Sequence, residues 1–226
     1  MILSYIYNIL KFKKWEILPS DNNWPVPKYY GACGRIIIEE YVGLPLTSYY
    51  NEPWLRRAKI ASGLLNSAHM FTYGSEEFGF YLTDISADNI AVDSNYNAKF
   101  VDLENVIVVD KNIVPEERST TWNQLQENTE SLNCSECIAF SPIDICSHKV
   151  SDHNYYAICK TLLALNVNDN VLPGGLLHDV PADILKAYPN MQYLIQQCVT
   201  PQKPFTRITA GMQLKQLLND IVQGQD

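Results

Sequence analysis

Two short apolar segments, Ile90 to Val92 and Ala98 to Val101, flank the polar turn Asp93-Ser94-Asn95-Tyr96-Asn97. Apolar, β-branched runs joined by turn residues read as a hairpin. Asp84 and Asn89, five residues apart, precede it, and Asp102 follows 13 residues after Asn89. A hairpin folds back on itself, so it delivers the residues before its first strand and after its second to one place. A hard cation bound through one or two carboxylates and substrate oxygens is what Mg²⁺ prefers. Asp and Asn are also common turn residues, and for any one of these positions that would be reason enough. Three of them at these intervals, after a long apolar helix and across a hairpin, point to a site.

The rest of the chain fits one domain. Its 226 residues are 46% hydrophobic, enough for a single substantial core. A net charge of -8 argues against a nucleic-acid partner, because recognition of phosphate needs clustered Lys and Arg. The short group Lys11, Lys13 and Lys14 reads as a solvated helix end. Met1 to Leu10 is apolar, but a membrane span needs about 20 such residues. A signal peptide carries its positive charge before the apolar run and small residues after it; here the lysines follow, with Phe12 and Trp15. Ile2, Ile6, Ile9 and Leu10 instead suggest the buried face of a helix.

Six cysteines could form up to three bridges, and sequence does not choose among the pairings. Cys134-Ser135-Glu136-Cys137 resembles half a zinc knuckle without a second pair, which favours a disulfide or buried thiols over metal. Asn133-Cys134-Ser135 is a formal N-glycosylation sequon.

The run Arg35 to Val42, opened by Gly31 and Gly34 and closed by Gly43 and Pro45, predicts a strand. Asn51 is placed to cap a helix beginning at Glu52 and Pro53. Trp54, Ala58, Ala61, Leu65 and Ala68 give that helix a buried stripe as far as about Phe71. Val106 to Val109 could extend the hairpin's sheet, and Asp110 to about Lys149 is irregular. Helical spacing returns from Asp152 to Leu165, with Tyr156, Cys159, Leu162 and Leu163 on one face. Two more helices are expected near Asp183 to Cys198 and Thr209 to Val222.

Protein kinases use a catalytic-loop Asp, an Asn five residues on, and a metal-binding Asp at the end of the next strand. The chain resembles that arrangement. The resemblance implies that Asp84 accepts the proton of a substrate hydroxyl, while Asn89 and Asp102 hold the Mg²⁺ or Mn²⁺ that accompanies ATP. A strand ending in Glu40-Tyr41-Val42, a short helix near Leu46 to Tyr50 and then the Trp54 helix follow the kinase order of hinge, short helix and long core helix. Glu40, Tyr41 and Val42 would then face the adenine, although alone they read equally well as an ordinary strand end. The implied fold is α+β and protein-kinase-like. It forms a single, truncated domain, with an N-lobe sheet remnant and hinge over 1–42 and a mainly helical C-lobe over 43–226.

More narrowly, Gly31-Ala32-Cys33-Gly34-Arg35, the Tyr81 to Asp93 loop, Asp102-Leu103-Glu104-Asn105-Val106, Asp152-His153-Asn154-Tyr155-Tyr156-Ala157 and Gly174-Gly175-Leu176-Leu177-His178-Asp179 look like the divergent protein kinase family of the secretory pathway, in its branch known as the deleted-in-autism proteins. That resemblance implies Golgi residence or secretion, disulfides among the cysteines, and a protein substrate or receptor as partner. It also implies that a leader and the first strands are absent ahead of Met1. Asp152 resembles the Asp that props the catalytic loop by bonding its backbone. Arg207 resembles the arginine that pairs with a glutamate of the activation segment, here Glu117 or Glu136. No carboxylate and nucleophile surround His69, His148, His153 or His178, so a hydrolase triad is unsupported.

The departures from the pattern are as informative. Leu82 and Thr83 replace the usual His and Arg, Ser86 the usual Lys, and Leu103-Glu104 the usual Phe-Gly. Glu104 either adds to metal binding or bonds a neighbouring helix. The glycine-rich loop and its phosphate-pairing lysine are not found, and Glu16 reads as a solvated helix end more readily than as that lysine's partner. Two functions follow: a Mg/Mn-ATP-dependent phosphotransferase, or a catalytically inactive pseudokinase acting as a secreted or Golgi signalling or binding protein.

Overall fold

The computed structural model describes residues 23–34, 36–103, 105–129, 138–164 and 174–224. The expected first helix, Glu16, Glu104, the Asn133 sequon, Cys134, Glu136 and Cys137 lie outside the described residues.

The long helix α1, Trp54–Tyr73, organises the molecule. Its stripe of Trp54, Ala58, Ala61, Leu65 and Ala68 is buried, and Ile60, Leu64 and Phe71 widen it. Complete burial of one such side chain contributes about 1.5–3 kcal/mol. The helix starts two residues later than the sequence suggests, and Asn51 does not cap it. Pro53 stands at the boundary in an extended conformation, and its carbonyl accepts the N–H groups of Arg56 and Arg57 at 2.9 and 3.2 Å. Its preset φ suits helix entry, so the start lies at the proline. At the other end the Gly74 N–H returns to the Met70 carbonyl at 2.7 Å.

The strands form small separate sheets. β1, Tyr29–Cys33, and β2, Ile36–Glu39, pair antiparallel around Gly34, whose φ of 60° suits a residue without Cβ. The predicted strand to Val42 is therefore shorter, and the preceding glycine segment is its partner rather than a mere opening. β3, Leu44–Pro45, runs beside β5, Ile90–Val92, which pairs with β6, Ala98–Phe100; β5 and β6 are the predicted hairpin. The Val106 run does not extend this sheet. As β7, Val106–Asp110, it pairs with β4, Phe78–Leu82. The β4 sequence Phe-Gly-Phe-Tyr-Leu lacks clean alternation because four of its five residues are buried, which hides it from a period-of-two reading. The short strands β8, Leu125–Gln126, and β9, Val150–Ser151, run parallel, with the helix α2, Pro142–Cys146, between them.

The predicted Asp152 helix is α3, His153–Ile158, continued by a π turn over Cys159–Leu163. Its predicted face is buried. The helix expected from Asp183 to Cys198 is two, α4, Ala182–Ala187, and α5, Met191–Val199. Pro189 divides them by disfavouring helical backbone at Tyr188. The last helix, α6, Arg207–Gln223, opens with a reciprocal cap between Thr206 and Thr209 and packs along α1. Cys159 and Cys198 form a disulfide that ties the π turn to α5, while Cys33 and Cys146 are free thiols. Among the described residues no helix is long and apolar enough to cross a membrane.

Candidate functional site

The site grows from the end of β4. After Leu82 the chain turns through Thr83 and Asp84, buries Ile85, makes a single 3₁₀ turn over Ala87–Asn89 and enters β5. Asn89 fastens both sides of this loop. Its backbone N–H donates to the Ser86 carbonyl at 3.2 Å and its own carbonyl accepts the Val101 N–H at 3.0 Å. Its side-chain Nδ2 donates to the Asp84 carbonyl at 3.3 Å. Asp102 directly follows Val101, so the hairpin brings the three predicted residues around one loop. Asp84 and Asp102 are exposed, with the buried Ile85 and Leu103 next to them anchoring the backbone.

That donor set suits a hard cation in part. With Nδ2 of Asn89 engaged by the Asp84 carbonyl, its Oδ1 is left as the acceptor. An amide oxygen and the Asp102 carboxylate would supply two oxygens, and Mg²⁺ commonly takes the remainder from water and phosphate. Among the described residues no group of three or more His, Cys, Asp or Glu side chains is arranged to hold a metal. Asn105 also reaches the loop. Its Nδ2 donates to Oδ2 of Asp84 at 3.4 Å, and the Thr83 hydroxyl donates to its carbonyl.

The predicted adenine-facing segment divides in role. Oε2 of Glu40 accepts the Lys28 N–H at 3.0 Å and the Lys99 ammonium at 2.7 Å. These bonds hold its carboxyl below the usual carboxylate range. Its side chain therefore ties β2 to β6 and is committed to that contact. Tyr41 is 82% exposed, and Val42 is half-buried. The chain then crosses β5 so closely that a Cβ on Gly43 would lie 2.1 Å from the Val92 carbonyl oxygen. The hinge-like segment thus leads directly into β3, which pairs with the β5 strand of the hairpin.

Behind the loop the structure reassigns two expected roles. Asp152 does not pair with the Asp84 loop. Its buried carboxylate accepts the Asn128 N–H at 2.9 Å and forms an ion pair with Arg207. Arg207 therefore pairs with Asp152 rather than Glu117, which is exposed on a 3₁₀ turn. Burial pushes the Asp152 carboxyl upward while Arg207 and the Asn128 N–H oppose it. The guanidinium also donates to the Val199 and Asn128 carbonyls and stacks over the Tyr156 ring at 5.0 Å. The two residues after Asp152 instead bond the end of β4, the strand that leads to Asp84. Oδ1 of Asn154 accepts the Leu82 N–H at 3.0 Å, and its Nδ2 donates to the Phe80 carbonyl at 2.7 Å and the Thr72 hydroxyl at 3.0 Å. Nε2 of His153 contacts the Leu82 carbonyl at 2.8 Å. Burial lowers the His153 pKa to about 4, so the ring is neutral and carries its proton on the nitrogen facing that carbonyl. The available signal was the motif Asp152-His153-Asn154 itself; what sequence could not show was which of its side chains turns toward β4.

Residues 12–201 match the family described as the protein-kinase domain of FAM69. The chain is 38% identical over 205 residues to Divergent protein kinase domain 2A of Xenopus tropicalis, covering 90% of this chain and 48% of that protein. The human protein of the same name is also 38% identical over 205 residues, covering 90% of this chain and 47% of that protein. Human Divergent protein kinase domain 2B is more distant, 26% identical over 207 residues, with 91% of this chain and 44% of that protein covered. The chain spans about half the length of these relatives. With a match over most of its length, and with the loop, hairpin and helix order described above, the chain belongs to the FAM69 family of divergent protein-kinase domains.

Proposed function

We propose that this chain carries the metal-and-nucleotide half of a phosphoryl-transfer site, with Asp84 as the base for a protein hydroxyl and Asn89 and Asp102 as ligands of a Mg²⁺ or Mn²⁺ bound with ATP. The observation that carries this reading is the position of Asn89, bonded to Asp84 through its side chain and to Val101 through its backbone. Phosphoryl transfer depends chiefly on positioning and on neutralising charge. A cation between Asn89 and Asp102 would supply the charge neutralisation, and Asp84 would orient and deprotonate the attacking oxygen. Tyr41 and Val42 lead into β3, which pairs with β5 of the hairpin, and this placement favours binding of the adenine beside them. Protein substrates in the secretory pathway, with Golgi residence or secretion, are part of this proposal, and the sequence resemblance to the divergent kinases of that pathway supports them.

One feature favours a second reading. The Asp84 carboxylate meets the neutral amide of Asn105, and Ser86 stands where kinases carry a lysine, so less positive charge faces the transferring group. A pseudokinase that binds nucleotide and metal as a signalling or binding protein would retain Asn89 and Asp102 without needing Asp84. Transfer of labelled γ-phosphate from ATP, measured for wild type and Asp84→Asn, separates the two. Loss of transfer with nucleotide binding retained supports the phosphotransferase. Nucleotide binding without transfer in wild type supports the pseudokinase.

A further inference from the structure

β4 is the strand that runs into Asp84, and among the described residues β7 on one edge is the only strand that pairs with it. In an antiparallel pair successive residues turn their backbone groups alternately toward the partner and away from it. Lys111 donates its N–H to the Glu77 carbonyl at 2.7 Å across this pair, which puts Glu77, Gly79 and Tyr81 on the β7 side. Phe80 and Leu82 therefore turn their N–H and C=O groups to the open edge. Three of those four groups are met by α3 side chains: the Phe80 carbonyl by Asn154, the Leu82 N–H by Asn154, and the Leu82 carbonyl by His153. His153 and Asn154 are fully buried.

We infer that His153 and Asn154 act as a side-chain surrogate for a third strand, and that they are the positioning residues that fix the end of β4 and hence Asp84. The inference rests on the proposed role of Asp84. The geometry dictates the residue types. Asn154 must accept from one backbone group and donate to another, which an amide can do and an aspartate cannot. An Asn154→Asp substitution would keep an acceptor for Leu82 but face the buried Phe80 carbonyl with a second acceptor. His153 must present one N–H, which a glutamine can also do.

Amide hydrogen exchange resolved by residue, together with steady-state transfer kinetics on the full chain, tests this. Removing the sole acceptor of an N–H should release that amide about tenfold or more. In Asn154→Leu the Leu82 amide should therefore exchange at least about tenfold faster, while Gly79 and Tyr81, held by β7, keep their protection. The kcat for phosphoryl transfer should fall about tenfold or more with the KM for ATP changed less than about twofold, because position rather than binding is lost. If Asn154→Leu does not fold, His153→Leu should lower kcat with KM unchanged, and His153→Gln should restore it. An unchanged Leu82 amide, or equal acceleration at Gly79, Tyr81 and Leu82, would overturn the inference, as would unaltered kcat in a variant with a released strand end. If wild type shows no transfer, the proposed role of Asp84 fails. The exchange pattern then decides alone whether the two side chains hold the strand.

Discussion

Arg207 and Asp152 form the pair on which the residue-scale account most depends. Both are buried, and Arg207 also satisfies two backbone carbonyls. Removing one partner of such a pair leaves an uncompensated charge and typically costs about 3–5 kcal/mol. Arg207→Leu should lower the stability measured by urea unfolding by that amount, and Arg207→Lys should recover little of it, since an ammonium cannot reproduce the planar fork. Gly211 makes a second prediction whose sign is set by space. Alanine is favoured over glycine inside a helix by about 1 kcal/mol, yet a Cβ here would lie 2.5 Å from the Tyr155 ring. Overpacking of this kind costs about 1–3 kcal/mol, so Gly211→Ala should destabilise despite the better helix former.

At the scale of elements, α3 carries one defined pH-dependent contribution to stability. His153 is neutral in the fold with its pKa lowered by burial to about 4, against an ordinary value of 6.5. Between those values the unfolded chain binds more protons than the folded one, so stability rises with pH. The full contribution is present above 6.5 and is lost as pH falls toward 4, by about 3 kcal/mol in all. Urea unfolding followed across that window should show this slope, and His153→Gln should flatten it. The bridge from Cys159 to Cys198 closes a separation of 39 residues, and a loop of that length corresponds to about 4 kcal/mol on chain-entropy grounds. Unfolding under reducing conditions should show a loss approaching that figure.

The elements differ in how openly the sequence announces them. α1 and α6 were legible because a one-sided stripe persists over several turns, and the β5–β6 hairpin because its turn is strongly polar. β4 was not, since burial on both faces removes the alternation by which strands are recognised. The division of α4 from α5 was present in Pro189 but overridden by the continuing apolar pattern. In the site, intervals along the chain were enough to nominate Asp84, Asn89 and Asp102. The partners of Asp152 and Arg207 were not legible, because a long-range pair leaves no spacing to read. Glu40 was nominated for adenine, and only the three-dimensional path of Lys99 shows where its carboxylate goes.

On the scale of the molecule, the helices α1, α3 and α6 form a packed base on which β4 and the hairpin rest, and the loop carrying Asp84 and Asn89 lies between them. Family membership, the hairpin geometry and the pairing of β3 with β5 support the proposal that this region binds a metal–nucleotide complex through Asn89 and Asp102. A thermal-shift titration of the chain with ATP and Mn²⁺ or Mg²⁺ tests it most directly. Ligand at about 100 times its dissociation constant adds roughly 2.7 kcal/mol to stability, or about 5 to 10 °C for a protein of this size. The account predicts such a shift for wild type, dependent on both metal and nucleotide, and its loss in Asp102→Ala. A wild-type protein that does not shift, or an Asp102→Ala variant that shifts equally, would contradict it.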